Sequence, residues 1–143
     1  MTQLLDCIVV DTTPEPTVSV IWMHGLGADG NDFVPIAEEL RLDAVGPVRV
    51  VFPHAPVRPV TINGGMAMRA WYDLLQADLV RHEDEAGLRA SRLDIEALIA
   101  RERARGVPAS RIVLMGFSQG CAMTLLTGLR HAERLAGLVG LSG

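Results

Sequence analysis

The sequence predicts an α/β fold in which a mostly parallel sheet is covered by helices on both faces. Apolar runs of strand length alternate along the chain with helix-like stretches, and this alternation is typical of parallel sheets with helical crossovers. In addition, the pentapeptide Gly-Phe-Ser-Gln-Gly at 116–120 directly follows one apolar run and opens a helix-like stretch. With 143 residues, we expect residues 1–143 to form a single domain.

The first half of the chain contains three apolar runs and a turn signal. The predicted strands are Cys7–Asp11, Val18–Met23 and 48–52. Residues 32–42 predict a helix between the second and third strands, with Asn31 as its N-cap. The turn sequence Asn-Gly-Gly at 63–65 separates residues 60–62 from 66–68 and predicts a hairpin.

The second half predicts two helices and two strands. They are a strand at 111–115, a strand at 135–141, and helices at 86–105 and Gln119–Arg130. The apolar side chains of the first helix are expected to face the core: Leu93, Ala97, Leu98 and Ala100. Its charged side chains are expected to face solvent: Arg89, Arg92, Glu96, Arg101, Glu102 and Arg103. The last strand is predicted to be buried on both faces.

Composition excludes several classes of protein. A net charge of −4 and a pI near 5.5 predict no basic patch for nucleic acid. No apolar run approaches the roughly 18 residues of a membrane span. Cys7 and Cys121 lack the spacing of metal ligands, so we expect free thiols in a reducing cytoplasm and no metal site.

Ser118 is the candidate nucleophile. Gly-x-Ser-x-Gly between a strand and a helix is the pattern of a nucleophile elbow, a turn so sharp that its serine takes a strained backbone conformation. The glycines on either side allow the strand and the helix to pass close together. The alternative interpretation is a glycine- and serine-rich loop that closes a buried strand. The strand and helix context favours the elbow and a three-layer α/β-hydrolase fold.

The sequence after Ser118 does not supply a base for this nucleophile. In this fold the acid and then the histidine follow the serine. Beyond Ser118 the sequence has one histidine, His131, and one acid, Glu133, in the opposite order. They fall near the end of the helix, about 18–20 Å from its start at 1.5 Å per residue. We therefore expect the triad Asp and His to lie beyond residue 143.

The loop His24-Gly25-Leu26-Gly27 follows the second strand and is the candidate oxyanion loop. Backbone N–H groups that meet the developing oxyanion are worth about 3–4 kcal/mol each. In this fold one donor follows the serine, here Gln119, and the other comes from this earlier loop, here Leu26. His24 is an alternative candidate base, and the loop could also be a plain strand-to-helix turn.

The long connection from 53 to 85 is expected to form walls of the site. Met66, Met68, Trp71, Leu74 and Leu75 are candidates to line an acyl pocket, because flexible thioether and aliphatic side chains adapt to varied acyl chains. The alternative, weighed equally, is that they pack beneath the loop. We expect no catalytic role for three nearby polar residues. Asp73 is expected to tether the loop by hydrogen bonds, His54 to be structural and His82 to be solvated.

The sequence resembles the carboxylesterase and acyl-protein thioesterase family of α/β-hydrolases. The stretches that carry the resemblance are 22–33 (WMHGLGADGNDF), 53–56 (PHAP), 60–73 (VTINGGMAMRAWYD), 84–87 (DEAG) and 116–120 (GFSQG). They occur in family order along nearly the whole chain.

The resemblance implies a Ser-Asp-His hydrolase of carboxylic esters or thioesters that needs neither metal nor cofactor. Ser118 corresponds to the nucleophile, and Leu26 and Gln119 to the oxyanion donors. The family continues through further strands and a last helix, so the domain is expected to be C-terminally incomplete. The expected partner is a small acyl ester or thioester, and a homodimer is left open.

Two classes of function follow. The first is a serine esterase or thioesterase that acts through an acyl-enzyme on Ser118, with this chain lacking the triad acid and base. The second is a non-catalytic or degenerate hydrolase fragment that binds acyl groups or a partner. The intact elbow and glycine loop favour the first, and the missing base favours the second for residues 1–143 alone.

Overall fold

The computed structural model describes residues 3–75 and 84–143; His82 lies outside these ranges. Within them the strands are β1 (Cys7–Asp11), β2 (Val18–Met23), β3 (Val48–Pro53), β4 (Val57–Val60), β5 (Met66–Arg69), β6 (Ile112–Phe117) and β7 (Gly137–Leu141). The helices are α1 (Val34–Glu39), α2 (Glu85–Ala104) and α3 (Gln119–Arg130). Short 3₁₀ turns occupy Leu42–Val45, Thr61–Asn63 and Ala109–Arg111.

The central sheet has five strands in the order β1-β3-β2-β6-β7. β1 runs antiparallel to β3, and the other neighbours are parallel. The β4–β5 hairpin forms a separate two-stranded sheet. Because the carboxyl ends of parallel strands meet at one edge, the loops after β2 and β6 open side by side, which is where this kind of sheet places its ligands.

Alternating side chains of each strand build two cores, one on each face of the sheet. Ile21 and Met23 of β2 join a cluster with Leu98 of α2 and Met123 of α3. Trp22, between them in sequence, belongs to a cluster with residues of β3 and α1 on the opposite face. This period of two on a sheet that is covered on both sides confirms the predicted three-layer α/β architecture.

Helix α1 is shorter than predicted, and Asn31 is not its N-cap. The helix spans Val34–Glu39, and Phe33 occupies the N-cap without a side-chain hydrogen bond. The carboxylate of Asp29 accepts the Asn31 N–H at 2.8 Å, which stabilises a local turn before the helix. The helix begins only where Pro35, favourable in a first turn, fixes the backbone.

The hairpin forms, but its first strand ends earlier than predicted. β4 stops at Val60, and Thr61–Asn63 form a 3₁₀ turn that ends at Gly64 with φ of 68°. The Asp73 carboxylate accepts the Thr61 N–H at 2.8 Å and the Thr61 hydroxyl at 2.5 Å. These bonds withdraw Thr61 from the strand, and they lower the pKa of Asp73. Asp73 is thus a loop tether, as predicted.

Helix α2 buries Leu98 as predicted, but the other side chains it buries differ from the predicted set. Leu93 is 53% exposed, whereas Glu102, expected in solvent, is fully buried. The buried positions follow one helical stripe with successive spacings of four, four, three, one and three residues: Gly87, Ser91, Ile95, Leu98, Ile99 and Glu102. Position 102 therefore points inward whatever residue occupies it.

The buried charge of Glu102 is compensated by polar partners from three directions. Its Oε1 accepts the Ser19 hydroxyl at 2.6 Å and Arg49 Nη1 at 3.3 Å. Its Oε2 accepts Arg105 Nη1 at 3.1 Å. Arg49 is in turn held by Asp11 at 2.9 Å. The network ties the end of α2 to β2 and β3, and it satisfies a carboxylate that would otherwise be costly to bury.

Strand β7 lies at the edge of the sheet and is less buried than predicted. It begins at Gly137 rather than at Leu135, and β6 is its neighbour. Val139 is 37% exposed and Leu138 is half-buried. The described residues place no strand along its other edge, so its outer backbone groups are not paired within the sheet.

Two expectations from composition can be compared with the described residues. Cys7 and Cys121 are free thiols, Cys7 partly buried and Cys121 buried. Among residues 3–75 and 84–143, no helix combines the length and the apolar character needed to cross a bilayer.

The Glu102 network yields a stability prediction. Glu102→Gln removes the buried charge and leaves Arg49 and Arg105 without their shared partner. We expect the free energy of unfolding to fall by about 3 kcal/mol, at the lower end for breaking a buried ion pair because Asp11 still holds Arg49. Urea denaturation gives the value. Glu39→Gln, at an exposed position of α1, is the matched control and should change stability by less than about 0.5 kcal/mol. Equal losses in the two variants would contradict the role of burial.

Candidate active site

Ser118 lies at the sharp turn between β6 and α3. Its backbone has φ of 56° and ψ of −113°, which is strained for a residue with a Cβ atom. The side chain is exposed, and the Ser118 N–H donates to the Leu141 carbonyl of β7 at 2.9 Å. The predicted strained strand-to-helix turn is therefore present, which excludes an ordinary loop that closes a strand.

The two glycines of the pentapeptide allow backbone segments to meet at short range. A Cβ atom on Gly116 would lie 2.1 Å from the Gly120 carbonyl oxygen. A Cβ atom on Gly120 would lie 2.3 Å from the Met23 carbonyl oxygen, at the end of β2. The Gly-x-Ser-x-Gly spacing is thus a steric requirement of this turn, because any side chain at either position would force α3 away from the sheet.

The glycine loop after β2 lies directly against the serine. A Cβ atom on Gly25 would lie 3.5 Å from Ser118 Cβ and 3.2 Å from a ring carbon of Phe117. The next N–H, that of Leu26, donates to no other described residue, whereas the Gly27 N–H donates to the Arg69 carbonyl at 2.8 Å. The bond from Gly27 anchors the loop to the hairpin and leaves the Leu26 N–H available.

Gln119 is the first residue of α3, so its N–H has no partner inside the helix. Within the described part of the chain it has no other acceptor either. Leu26 on the glycine loop and Gln119 at the start of α3 therefore supply two uncommitted N–H donors. Their positive ends suit a developing oxyanion, and the partial charge of the α3 N-terminus acts in the same direction.

Both ring nitrogens of His24, the alternative candidate base, are used in hydrogen bonds to the backbone. Its Nε2 accepts the Ala55 N–H at 3.0 Å, and its Nδ1–H donates to the Gly25 carbonyl at 2.7 Å. The ring is buried, and this desolvation lowers the pKa of His24. Because an amide N–H can only donate and a carbonyl can only accept, both ring nitrogens are occupied and the tautomer is fixed. His24 has no lone pair for the Ser118 proton.

The Gln119 side chain fastens the long connection to the elbow. Its Oε1 accepts the Trp71 N–H at 2.7 Å, and its Nε2 donates to the Tyr72 carbonyl at 2.8 Å. The indole N–H of Trp71 donates to the His24 carbonyl at 2.9 Å, and Ser91 Oγ donates to the Trp71 carbonyl. Sequence reasoning missed this role, because the partners lie 47 and 48 residues before Gln119.

The residues suggested for an acyl pocket differ in how far they are buried. Trp71 is fully buried, with its ring 5.3 Å from the His24 ring, so it is a packing residue rather than a wall open to substrate. Met66 is exposed on the hairpin, and Leu74 and Leu75 are half-buried. Met68, on the same hairpin, brings its sulfur to 3.7 Å from the Cβ position of Gly27, beside the glycine loop.

The other described histidines are not placed as a base. His54 Nδ1 accepts the Gly30 N–H at 3.0 Å, a structural role as predicted. His131, at the far end of α3, bonds Glu96 at 2.7 Å, and Glu133 pairs with Arg103. Within residues 3–75 and 84–143, the Ser118 hydroxyl has no hydrogen-bond partner, and no cluster of three or more His, Cys, Asp or Glu could hold a metal ion.

Comparison with known proteins agrees with this geometry. The profile of the phospholipase/carboxylesterase family matches residues 6–143. The chain belongs to this family. Its α/β-hydrolase architecture is also that of solved relatives: Arabidopsis thaliana SOBER1 superposes with a TM-score of 0.79 at 31% identity, over 85% of this chain and 59% of that one.

Two relatives of this chain are fungal acyl-protein thioesterases. Acyl-protein thioesterase 1 of Yarrowia lipolytica is 45% identical over 129 residues, which cover 89% of this chain and 57% of the relative. Acyl-protein thioesterase 1 of Schizosaccharomyces pombe is 39% identical over 143 residues, which cover 100% of this chain and 63% of the relative. The chain thus spans about three fifths of the length of these proteins.

The backbone strain at Ser118 can be measured independently of any activity. We expect Ser118→Gly to be about 1 kcal/mol more stable than Ser118→Ala, because glycine relieves a strain of about 1–3 kcal/mol at some entropic cost. Ser110, exposed in a 3₁₀ turn without positive φ, is the matched control. There the glycine variant should be the less stable of the two. Urea unfolding of all four variants decides, and equal signs at both positions would refute the strain.

His24 predicts a pH dependence of stability. The unfolded side chain protonates near pH 6.5, whereas in the folded protein its pKa is lower. Below pH 6.5 the unfolded state therefore binds more protons, and stability falls as pH decreases, by up to about 1.4 kcal/mol per pH unit. His24→Gln should reduce this slope between pH 7 and 5. An unchanged slope in the variant would contradict the buried neutral imidazole.

Proposed function

We propose that this chain carries the nucleophile and the oxyanion donors of a serine hydrolase that cleaves carboxylic esters or thioesters. The observation that carries the proposal is the strained, exposed Ser118 together with two uncommitted N–H groups, that of Leu26 on the glycine loop and that of Gln119 at the start of α3. Backbone donors held in place before reaction stabilise charge that develops only in the transition state. Membership of the phospholipase/carboxylesterase family supports the same reaction class.

The proposed chemistry proceeds through an acyl-enzyme. The Ser118 oxygen attacks the substrate carbonyl carbon as a base takes the hydroxyl proton, and the carbonyl oxygen becomes an oxyanion that accepts from the Leu26 and Gln119 N–H groups. Collapse expels the alcohol or thiol, which receives the proton, and leaves an ester on Ser118. Water then attacks this ester with the same base, releases the acid and restores the serine.

The base and its carboxylate are proposed to correspond to the part of the relatives that this chain does not span. The alignments cover 57% and 63% of the two fungal thioesterases. In an α/β-hydrolase the acid and the histidine both follow the serine in sequence. The committed ring nitrogens of His24 and the remote position of His131 are consistent with a base from elsewhere.

The proposed substrates are small acyl esters and thioesters, with S-acylated proteins as the extension suggested by the thioesterase relatives. Met66, Leu74 and Leu75 remain proposed contacts for the acyl chain, and Met68 joins them through its approach to Gly27. We further propose a cytoplasmic location, consistent with two free thiols. For a homodimer of this chain, we propose pairing along the outer edge of β7.

A non-catalytic role is the second candidate. The observation that favours it is that the Ser118 hydroxyl has no hydrogen-bond partner within the described residues. In that case the glycine loop and the elbow would bind an acyl group or a partner without turning it over. Removal of a triad member from serine proteases leaves roughly 10³–10⁴-fold acceleration over water, so some residual reaction would persist.

Hydrolysis assays separate the two candidates. We expect residues 1–143 alone to show almost no Ser118-dependent release of 4-nitrophenol from 4-nitrophenyl butyrate. A chimera that adds the corresponding C-terminal part of the Schizosaccharomyces pombe thioesterase should hydrolyse this ester and a short acyl thioester. Ser118→Ala in the chimera should abolish both activities, and Ser110→Ala, an exposed serine away from the elbow, should leave them unchanged.

Each other outcome has a distinct meaning. Ordinary esterase rates from residues 1–143, lost on Ser118→Ala, would place the base within this chain and refute its proposed location. A chimera with a native circular dichroism spectrum and no turnover would favour the non-catalytic candidate. Turnover that persists in the Ser118→Ala chimera would reject Ser118 as the nucleophile.

A further inference from the structure

A groove between helices α2 and α3 lies outside the candidate active site. It has a volume of about 340 Å³, and it is lined by Glu85, Leu88, Arg89, Arg92, Leu126 and Arg130. Arg130 is the last residue of α3, whereas Ser118 precedes the first. At 1.5 Å per residue, the helix separates them by roughly 18 Å along its axis. The groove is therefore a separate feature of the surface.

The groove concentrates arginines that no carboxylate of residues 3–75 and 84–143 pairs with. Arg89, Arg92 and Arg130 have no carboxylate within 4.0 Å among the described residues, whereas Arg49, Arg58, Arg103 and Arg105 are each paired with Asp or Glu. Glu85 is the single acid among the described residues that line the groove. Like charges at a spacing of three residues on one helix repel each other, so Arg89 and Arg92 would gain from an anion between them.

The floor of the groove is apolar and anchored. Leu88 and Leu126 are half-buried and pack against the core cluster that contains Leu98 and Met123. They belong to different helices, so the floor spans the joint between α2 and α3. The lining thus combines two leucines packed against the core with three arginines. A ligand that matches both needs an anionic head and a compact apolar portion.

We propose that this groove binds a water-soluble phosphate monoester. Guanidinium groups donate paired hydrogen bonds to phosphate oxygens, and such charge-assisted bonds are roughly twice as strong as neutral ones. The phosphate lies between Arg92 of α2 and Arg130 of α3, with Arg89 as a third donor. The organic portion of the monoester contacts Leu88 and Leu126. This site is independent of the proposed esterase activity, because none of its residues belongs to the elbow or to the glycine loop.

Isothermal titration with phenyl phosphate and with inorganic phosphate tests the proposal on the purified chain. Phenyl phosphate should bind more tightly than inorganic phosphate, because only the former reaches the leucines. Arg92→Gln and Arg130→Gln should each weaken phenyl phosphate by about tenfold, the effect of losing a charge-assisted hydrogen bond. Leu126→Ala should weaken phenyl phosphate while leaving inorganic phosphate nearly unchanged.

Matched controls make the test specific. Arg111→Gln removes an exposed arginine that lines a different cleft, and Ser118→Ala removes the candidate nucleophile; neither should change binding. Thermal unfolding of each variant verifies that it folds. The proposal is overturned if phenyl phosphate does not bind, if Arg111→Gln weakens it as much as Arg92→Gln, or if the chain binds phosphatidic acid vesicles but not phenyl phosphate.

Discussion

The candidate site depends on the close approach of backbone to backbone where β6 turns into α3. Gly116 lies against the Gly120 carbonyl, and Gly120 lies against the Met23 carbonyl. A Cβ atom at either glycine would clash with the carbonyl oxygen that it faces. This approach brings the start of α3 to the ends of two strands, and it forces Ser118 into a positive φ at the tip of the turn. The exposure of the serine, its strain and the free N–H of the following residue are all consequences of the same steric fit.

The surroundings of this turn are fixed by buried hydrogen bonds between segments that are distant in sequence. Trp71 is the common member: its N–H meets the Gln119 side chain, its indole meets the His24 carbonyl, and its carbonyl meets Ser91. Such bonds contribute about 1 kcal/mol each, but an unpaired buried group costs about 1–3 kcal/mol. Loss of one member would therefore disturb the others, and the loop, the elbow and α2 are expected to move as one unit.

Patterns of neighbouring residues in the sequence correctly predicted several strands and one helix. The bounds of β1, β2 and α3 agree with the apolar runs and with the helix-like stretch after the elbow. Some failures have local causes, such as the Asp29–Asn31 turn before α1, whereas others involve distant partners. Glu102 is buried because helical phase and arginines from other elements combine there, and residue type alone indicated solvent. The net charge of −4 likewise concealed the groove at Arg92 and Arg130, since a sum over the chain contains no information on which charges become neighbours.

The edge strand β7 has a mechanical consequence for the serine. The Ser118 N–H is bonded to the Leu141 carbonyl, and Phe117 pairs with the same residue in the sheet. Peeling β7 away from β6 would begin at contacts that hold the elbow in its strained form, so tension on this strand would be released directly at the turn. A strand added along the outer side of β7 would have the opposite effect, because it would brace the bond from Leu141. The rigidity of Ser118 thus depends on the edge strand β7 as well as on the strands at the centre of the sheet.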